Sequence, residues 1–208
     1  MKTQEAYLDS LDISYSYRLA KKMEEIRSNP ALGYRTAGSE AELLTGRMLE
    51  EEMKRIGLPC VYRDEIQTDA WEFTKAQLSY EEEDGTKRTA LLGAYQTDFV
   101  TGGPKRFELV FAGKGTLQDY EGLDVTGRLV LVEMNQRDEW WINYPVYQAH
   151  LKGAAAVIAV QTGGYGEVDD RALNAQDIAG PACAPAFSIS RKDARPLRRM
   201  LAGGKEVT

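Results

Sequence analysis

The chain of 208 residues carries 26 Lys and Arg against 32 Asp and Glu, a formal net charge of −6, with 43% hydrophobic and 28% charged residues. That balance belongs to a globular chain with room for one or two cores. The charges are interspersed, and no basic block or stripe offers a footprint for nucleic acid. The longest strongly apolar stretch, residues 154–160, falls far short of the roughly 20 residues a membrane-spanning helix needs.

The opening residues, 1–10, lack the charged and apolar regions of a secretory signal, and Met1 points to the natural start of a cytoplasmic protein. Cys60 and Cys183 are too far apart for a CxxC pair or a zinc ribbon. One long-range disulfide or two buried free thiols are both compatible, and the second fits a reducing compartment. His150 is the single histidine. Catalytic zinc usually draws at least one imidazole, and Ser-His or Cys-His chemistry would have to pass through this residue alone. It lies in Tyr147-Gln148-Ala149-His150-Leu151, the last turn of a predicted helix, where it suits the helix C-terminal dipole. No catalytic residue, cofactor site or metal site is assigned to this chain.

In chain order, Asp12 caps a predicted helix to about Arg27, with Leu19, Met23 and Ile26 on one face, and Pro30 ends it. Ser39-Glu40-Ala41-Glu42 is a capping box for a second helix, whose apolar face is Ala41, Leu44, Met48, Met53 and Ile56 and whose stop is Gly57. From Pro59 the periodicity changes to that of strands. Residues 60–66 form one candidate strand. The alternation from Trp71 to Tyr80, a Glu83-Asp84-Gly85 turn and residues 86–92 form a predicted hairpin. Residues 106–111, 128–132, 154–160 and 185–190 are further strands, with a helix over 145–151 ending near Gly153. A last helix spans about 192–201, its start assigned to Asp193 and the Ala194-Arg195-Pro196 that follow, before Gly203-Gly204.

Gly163-Gly164-Tyr165-Gly166 fits neither a dinucleotide fingerprint nor a Walker loop and reads as a loop. Asp138-Glu139 and Asp169-Asp170 are adjacent pairs, not carboxylates facing one another across a cleft, and read as solvated charge. Trp140, Trp141 and Tyr144 are the conspicuous cluster. Adjacent tryptophans on a strand or loop point apart, so one enters the core while the other serves as an interface or substrate-entrance residue.

The ordered set Phe107-Glu108-Leu109-Val110-Phe111, Gly113-Lys114-Gly115, residues 120–123, Asp124-Val125-Thr126-Gly127-Arg128-Leu129-Val130-Leu131-Val132, Gly153-Ala154-Ala155-Ala156-Val157-Ile158 and Pro185-Ala186-Phe187-Ser188-Ile189-Ser190 resembles the protease-associated (PA) domain. The helical start, with Arg35-Thr36-Ala37-Gly38-Ser39 between its helices and Gly57-Leu58 after them, is similar to the opening of M28-family zinc aminopeptidases. The resemblance implies an α/β chain in two parts. Residues 1–65 would be the N-terminal helical segment of a peptidase domain, and residues 66–208 a β-rich swivelling β/β/α PA domain. It implies zinc for the full-length parent, peptide substrates, and a PA domain that covers the active site and restricts access. The family's His-x-Asp motif, bridging Asp, Glu-Glu pair and later His have no counterpart here, so the fragment alone is expected to be inactive. Its expected partners are the remainder of the peptidase domain, peptide substrates in the parent and a second copy of itself, with no nucleic acid and no membrane. A stand-alone protein- or peptide-binding module built on Trp140 and Trp141 is the alternative.

Overall fold

The computed structural model describes residues 2–96, 99–139, 141–164, 169–174, 176 and 185–208. These divide into two compact units, Met1–Phe73 and Thr74–Thr208.

The first unit holds α1 (Lys2–Asp9), α2 (Ile13–Glu25) and α3 (Glu40–Arg55). Asp12 caps α2 by accepting from the Tyr15 amide at 2.9 Å, as its position before the apolar periodicity predicts. The capping box of α3 forms with one difference. Ser39 Oγ accepts from the Glu42 amide at 3.2 Å, but the Glu42 carboxylate reaches past Ser39 to the Gly38 amide at 2.6 Å. The Ser39 amide is already taken by the Thr36 carbonyl, which explains the shift. Gly57, at φ +87°, closes α3 with a Schellman pair, the Leu58 amide to the Met53 carbonyl and the Gly57 amide to the Lys54 carbonyl.

The connector between α2 and α3 does chemical work for its neighbours. The Arg35 guanidinium donates to the Met23 carbonyl at 2.9 Å and to the Ile26 carbonyl at 3.4 Å, at the end of α2 where intrahelical donors run out. Ser28 Oγ accepts from the Thr36 amide at 3.0 Å, and Asn29 Nδ2 donates to the Phe73 carbonyl at 2.7 Å. Tyr34 packs on Trp71 and Phe73, and burial pushes its phenol up to about 12.

Not every expectation holds in this unit. Residues 60–66 are exposed or nearly so and form no strand, because no described segment pairs with them and a lone strand has no ladder. The apolar face of α3 is largely uncovered: Leu44, Met53 and Ile56 are exposed, Met48 is half-buried, and α3 buries only Ala41 and Thr45. Helix α2 buries no residue at all. Cys60 is a free, exposed thiol rather than a buried one, and Cys183 lies outside the described residues.

The second unit is built on a six-stranded sheet in the order β1 (Ala76–Glu81), β2 (Lys87–Ala94), β6 (Ala186–Ile189), β5 (Ala156–Gly163), β4 (Leu129–Asn135), β3 (Leu109–Phe111). Strands β1 and β2 form the hairpin that Asp84-Gly85 predicts, with Leu78 opposite Ala90. From β6 to β3 the pairs are parallel, and β2 meets β6 antiparallel. The central strands read as continuous apolar runs because helices cover both faces. On one face Val130, Val132, Met134, Val157 and Ala159 meet Ile142, Val146 and Ala149 of the segment containing α4 (Asn143–Leu151). The alternate residues Leu131, Ile158 and Ile189 lie on the other face, the face served by Leu197 of α5 (Arg191–Ala202). Val130, Leu131, Val132 and Leu197 are fully buried, each contributing roughly 1.5–3 kcal/mol of transfer free energy.

Helix α5 starts earlier than predicted. Ser190, not Asp193, is the cap, accepting from the Asp193 amide at 3.1 Å, so Pro196 sits inside the helix. Ser190 Oγ also donates to Asp193 Oδ2 at 2.7 Å, so the two side chains close the cap together. Gly153 and Gly204, at φ +78° and +71°, end α4 and α5 with Schellman pairs.

Candidate interface site

The loop from β4 to α4 is fixed by its own polar side chains. Asn135 is the hub: its backbone amide donates to Glu139 Oε2 at 3.2 Å, its Nδ2 donates to Asp138 Oδ2 at 2.9 Å, and its Oδ1 accepts from the Arg137 amide at 3.1 Å. Glu139 also pairs with Lys114, and that hydrogen bond raises the lysine above its ordinary range. The adjacent carboxylates Asp138 and Glu139, expected as solvated charge, therefore organise the loop. Asp169 and Asp170 are likewise engaged: Asp169 accepts from the Arg171 amide at 2.7 Å, and Asp170 pairs with Arg191 and Arg195.

Beneath this loop Gly115 is a close approach. At φ +70° it takes a conformation that a side chain resists, and an added Cβ would lie 2.6 Å from Pro145 Cβ and 3.1 Å from Val132 Cγ1. The start of α4 thus rests directly on backbone. Asp119 holds the turn around Gly115 by accepting from the Thr116 amide at 2.9 Å and the Thr116 hydroxyl at 2.7 Å.

This scaffold presents the predicted interface residues as follows. Trp140 lies outside the described residues. Trp141 does not sit on a strand; it directly precedes Ile142, the first residue of the α4 turn, and its carbonyl accepts from the Tyr144 amide at 3.2 Å. Trp141 is 59% exposed and Tyr144 is 37% exposed, while Ile142 between them is buried. Two residues that the sequence reading did not assign extend the same face: Tyr147 and Leu151, both exposed. Positions 141, 144, 147 and 151 follow helical spacing, so they form one stripe on the side of α4 opposite Pro145, Val146 and Ala149. The signal was present in the sequence as aromatic and aliphatic residues at intervals of three and four. It was hidden because α4 is apolar on both sides, and a two-sided helix lacks the polar face that marks amphipathicity. His150, at the C-terminal end of α4, accepts at its carbonyl from the Gly153 amide at 2.9 Å, part of the helix stop.

The four exposed side chains offer contact area, and the three aromatic ones have little conformational entropy to lose. Among the described residues no three His, Cys, Asp or Glu side chains converge into a metal-ligand set. Among the described residues no helix is long and apolar enough to cross a membrane.

The fold has counterparts among peptidases. No family model and no curated protein matches the chain. Among solved structures, BSAP, a zinc aminopeptidase from Bacillus subtilis, matches with a TM-score of 0.54 and 19% identity, over 91% of this chain and 42% of that one. A peptidase M28 precursor from Shewanella amazonensis matches with a TM-score of 0.51 and 17% identity, over 93% and 48%. An aminopeptidase from Aneurinibacillus sp. strain AM-1 is 22% identical over 94% and 42%, with a TM-score of 0.46. At these identities the likeness is one of fold. The chain spans less than half the length of the solved structures that it matches.

Proposed function

We propose that this chain is the N-terminal portion of a zinc-dependent aminopeptidase of the M28 type. Its first unit would be part of the peptidase domain, and its second a PA domain at the substrate entrance. The observation that carries the reading is the fold likeness to BSAP across 91% of this chain but 42% of that one. A second observation agrees with it. Several apolar residues of α2 and α3 and the α3 cap, among them Ile13, Tyr17, Leu43, Leu44, Met53 and Ile56, are exposed in a unit with little else to pack on. Such faces are expected of helices that belong to a larger core.

In the parent, zinc held by residues outside this chain would supply the Lewis acid and the activated water of peptide hydrolysis. The stripe of Trp141, Tyr144, Tyr147 and Leu151 would contact the peptidase body or the incoming peptide. A reducing, cytoplasmic setting is part of the reading, supported by the exposed free thiol of Cys60. The full gene product is expected to release amino acids from aminoacyl p-nitroanilides, to lose this activity with a chelator and to regain it with zinc. Residues 1–208 alone should show none. Metal-dependent hydrolysis by residues 1–208, or none by the full product, would refute the proposal.

A second reading, a stand-alone binding module, is favoured by one observation, the exposed stripe of α4. It predicts saturable peptide binding by this chain alone that Trp141→Ala weakens.

A further inference from the structure

Helix α5 concentrates charge in a way the rest of this acidic chain does not. Arg191, Lys192, Arg195, Arg198 and Arg199 fall within nine residues that hold one acid, Asp193. Four of these guanidinium groups line one groove of 690 Å³, together with Thr162, Val160, Ala194, Asp170 and Glu133. That volume lies in the range of small-ligand sites, roughly 300–1,000 Å³.

Within the groove the guanidinium groups form two nodes. At the first, Arg191 Nη2 and Arg195 Nη2 share the carboxylate of Asp170 at 3.2 and 2.6 Å, and Arg191 also donates to the Thr162 carbonyl at 3.5 Å. At the second, Arg198 pairs with Glu133 while its guanidinium carbon sits 4.1 Å from the centre of the Phe111 ring. Arg199 lines the same groove and, among the described residues, takes part in no salt bridge. Arg198 of the second node follows Arg195 of the first by three residues, about 4.5 Å along the axis. Among the described residues four guanidinium groups face two carboxylates, and Arg198 and Arg199 keep N–H donors that their contacts do not use up. A guanidinium held by a ring and a carboxylate is already oriented, so a ligand ordering it loses little entropy.

The geometry points to a binding site for a small dianion whose two anionic groups, carboxylate or phosphate oxygens, bridge the two arginine nodes of α5. The aliphatic carbons of Val160 and Ala194 would line the space between those groups. Asp170 and Glu133 hold the arginines in place when the groove is empty and yield some of their donors when it fills. The dianion chemistry is the shared feature, and the probes separate its sources.

The test is isothermal titration of the 208-residue chain at constant ionic strength with inorganic phosphate and with succinate, alongside NMR shifts of the arginine Nε–H groups. Saturable binding of either probe with Kd below about 10 mM is expected, and Arg195→Gln and Arg199→Gln should each weaken it about tenfold. Arg106→Gln, an exposed arginine elsewhere, should leave it unchanged. Binding of phosphate alone assigns a phosphate ligand, and binding of succinate alone a dicarboxylate. The NMR shifts confirm folding of each variant and report whether the α5 arginines move on titration. No binding of either probe by about 10 mM, or equal binding by all three variants, overturns the proposal.

Discussion

Replacing Gly115 with alanine tests whether α4 is seated by a backbone contact. Two costs combine at this position. The residue sits at φ +70°, where a non-glycine residue costs roughly 1–2 kcal/mol. The new Cβ also falls 2.6 Å from Pro145 Cβ, well inside contact distance, and overpacking of this kind costs about 1–3 kcal/mol. Together they give roughly 2–5 kcal/mol. Gly122 is the matched control: φ is +76°, but nothing lies within 4 Å of an added Cβ, so Gly122→Ala bears only the backbone cost. Native-state hydrogen exchange of the amides in β4 isolates the second unit from the first. Gly115→Ala should speed their exchange at least about 30-fold, and Gly122→Ala should stay below that. If the two substitutions cost the same, α4 is not held against the Gly115 turn, and the account of how Trp141 and Tyr144 are presented fails.

Three other outcomes follow from the same structure. Leu197, fully buried under the sheet, should cost about 2–5 kcal/mol on mutation to alanine, read as faster exchange of β5 amides. Trp141→Ala and Leu151→Ala should change stability by less than about 1 kcal/mol in urea unfolding, because both side chains are exposed, yet each should weaken binding to the peptidase body. Hydrogen bonds from Arg55, then from Tyr15, hold the Glu52 carboxyl at about 2, below its ordinary 4.5. A carboxyl lowered on folding adds stability above its unfolded value and loses it as pH falls through the folded one. The first unit should therefore lose stability between pH 4.5 and about 2, a dependence reduced by Glu52→Gln and visible in the carboxyl NMR titration.

Local chemistry made much of the second unit legible. Asp84-Gly85 marked a hairpin, the continuous apolar run at 129–132 marked a central strand, and Gly153 and Gly204 marked helix stops, because each is a short-range rule that tertiary structure here leaves intact. The strand expected at 60–66 failed because alternation specifies a strand only where a neighbour completes the ladder. The α5 start was misplaced because Pro196 looked like a first-turn proline, while Ser190 and Asp193 already formed the cap. Glu139 and Asp170 were read as solvated because their ion-pair partners, Lys114 and Arg195, lie on other segments, which spacing along the chain does not reveal. The interface stripe was half legible: Trp141 and Tyr144 stood out as aromatics, whereas Tyr147 and Leu151 joined them only once α4 was seen to be covered on one side alone.

The proposal that this chain belongs to a zinc aminopeptidase is tested most directly by reading the gene past the codon for Thr208. The account predicts that the frame continues through a His-x-Asp motif, a Glu-Glu pair and a second histidine. A stop codon immediately after Thr208 would contradict it and leave the binding module as the reading that stands.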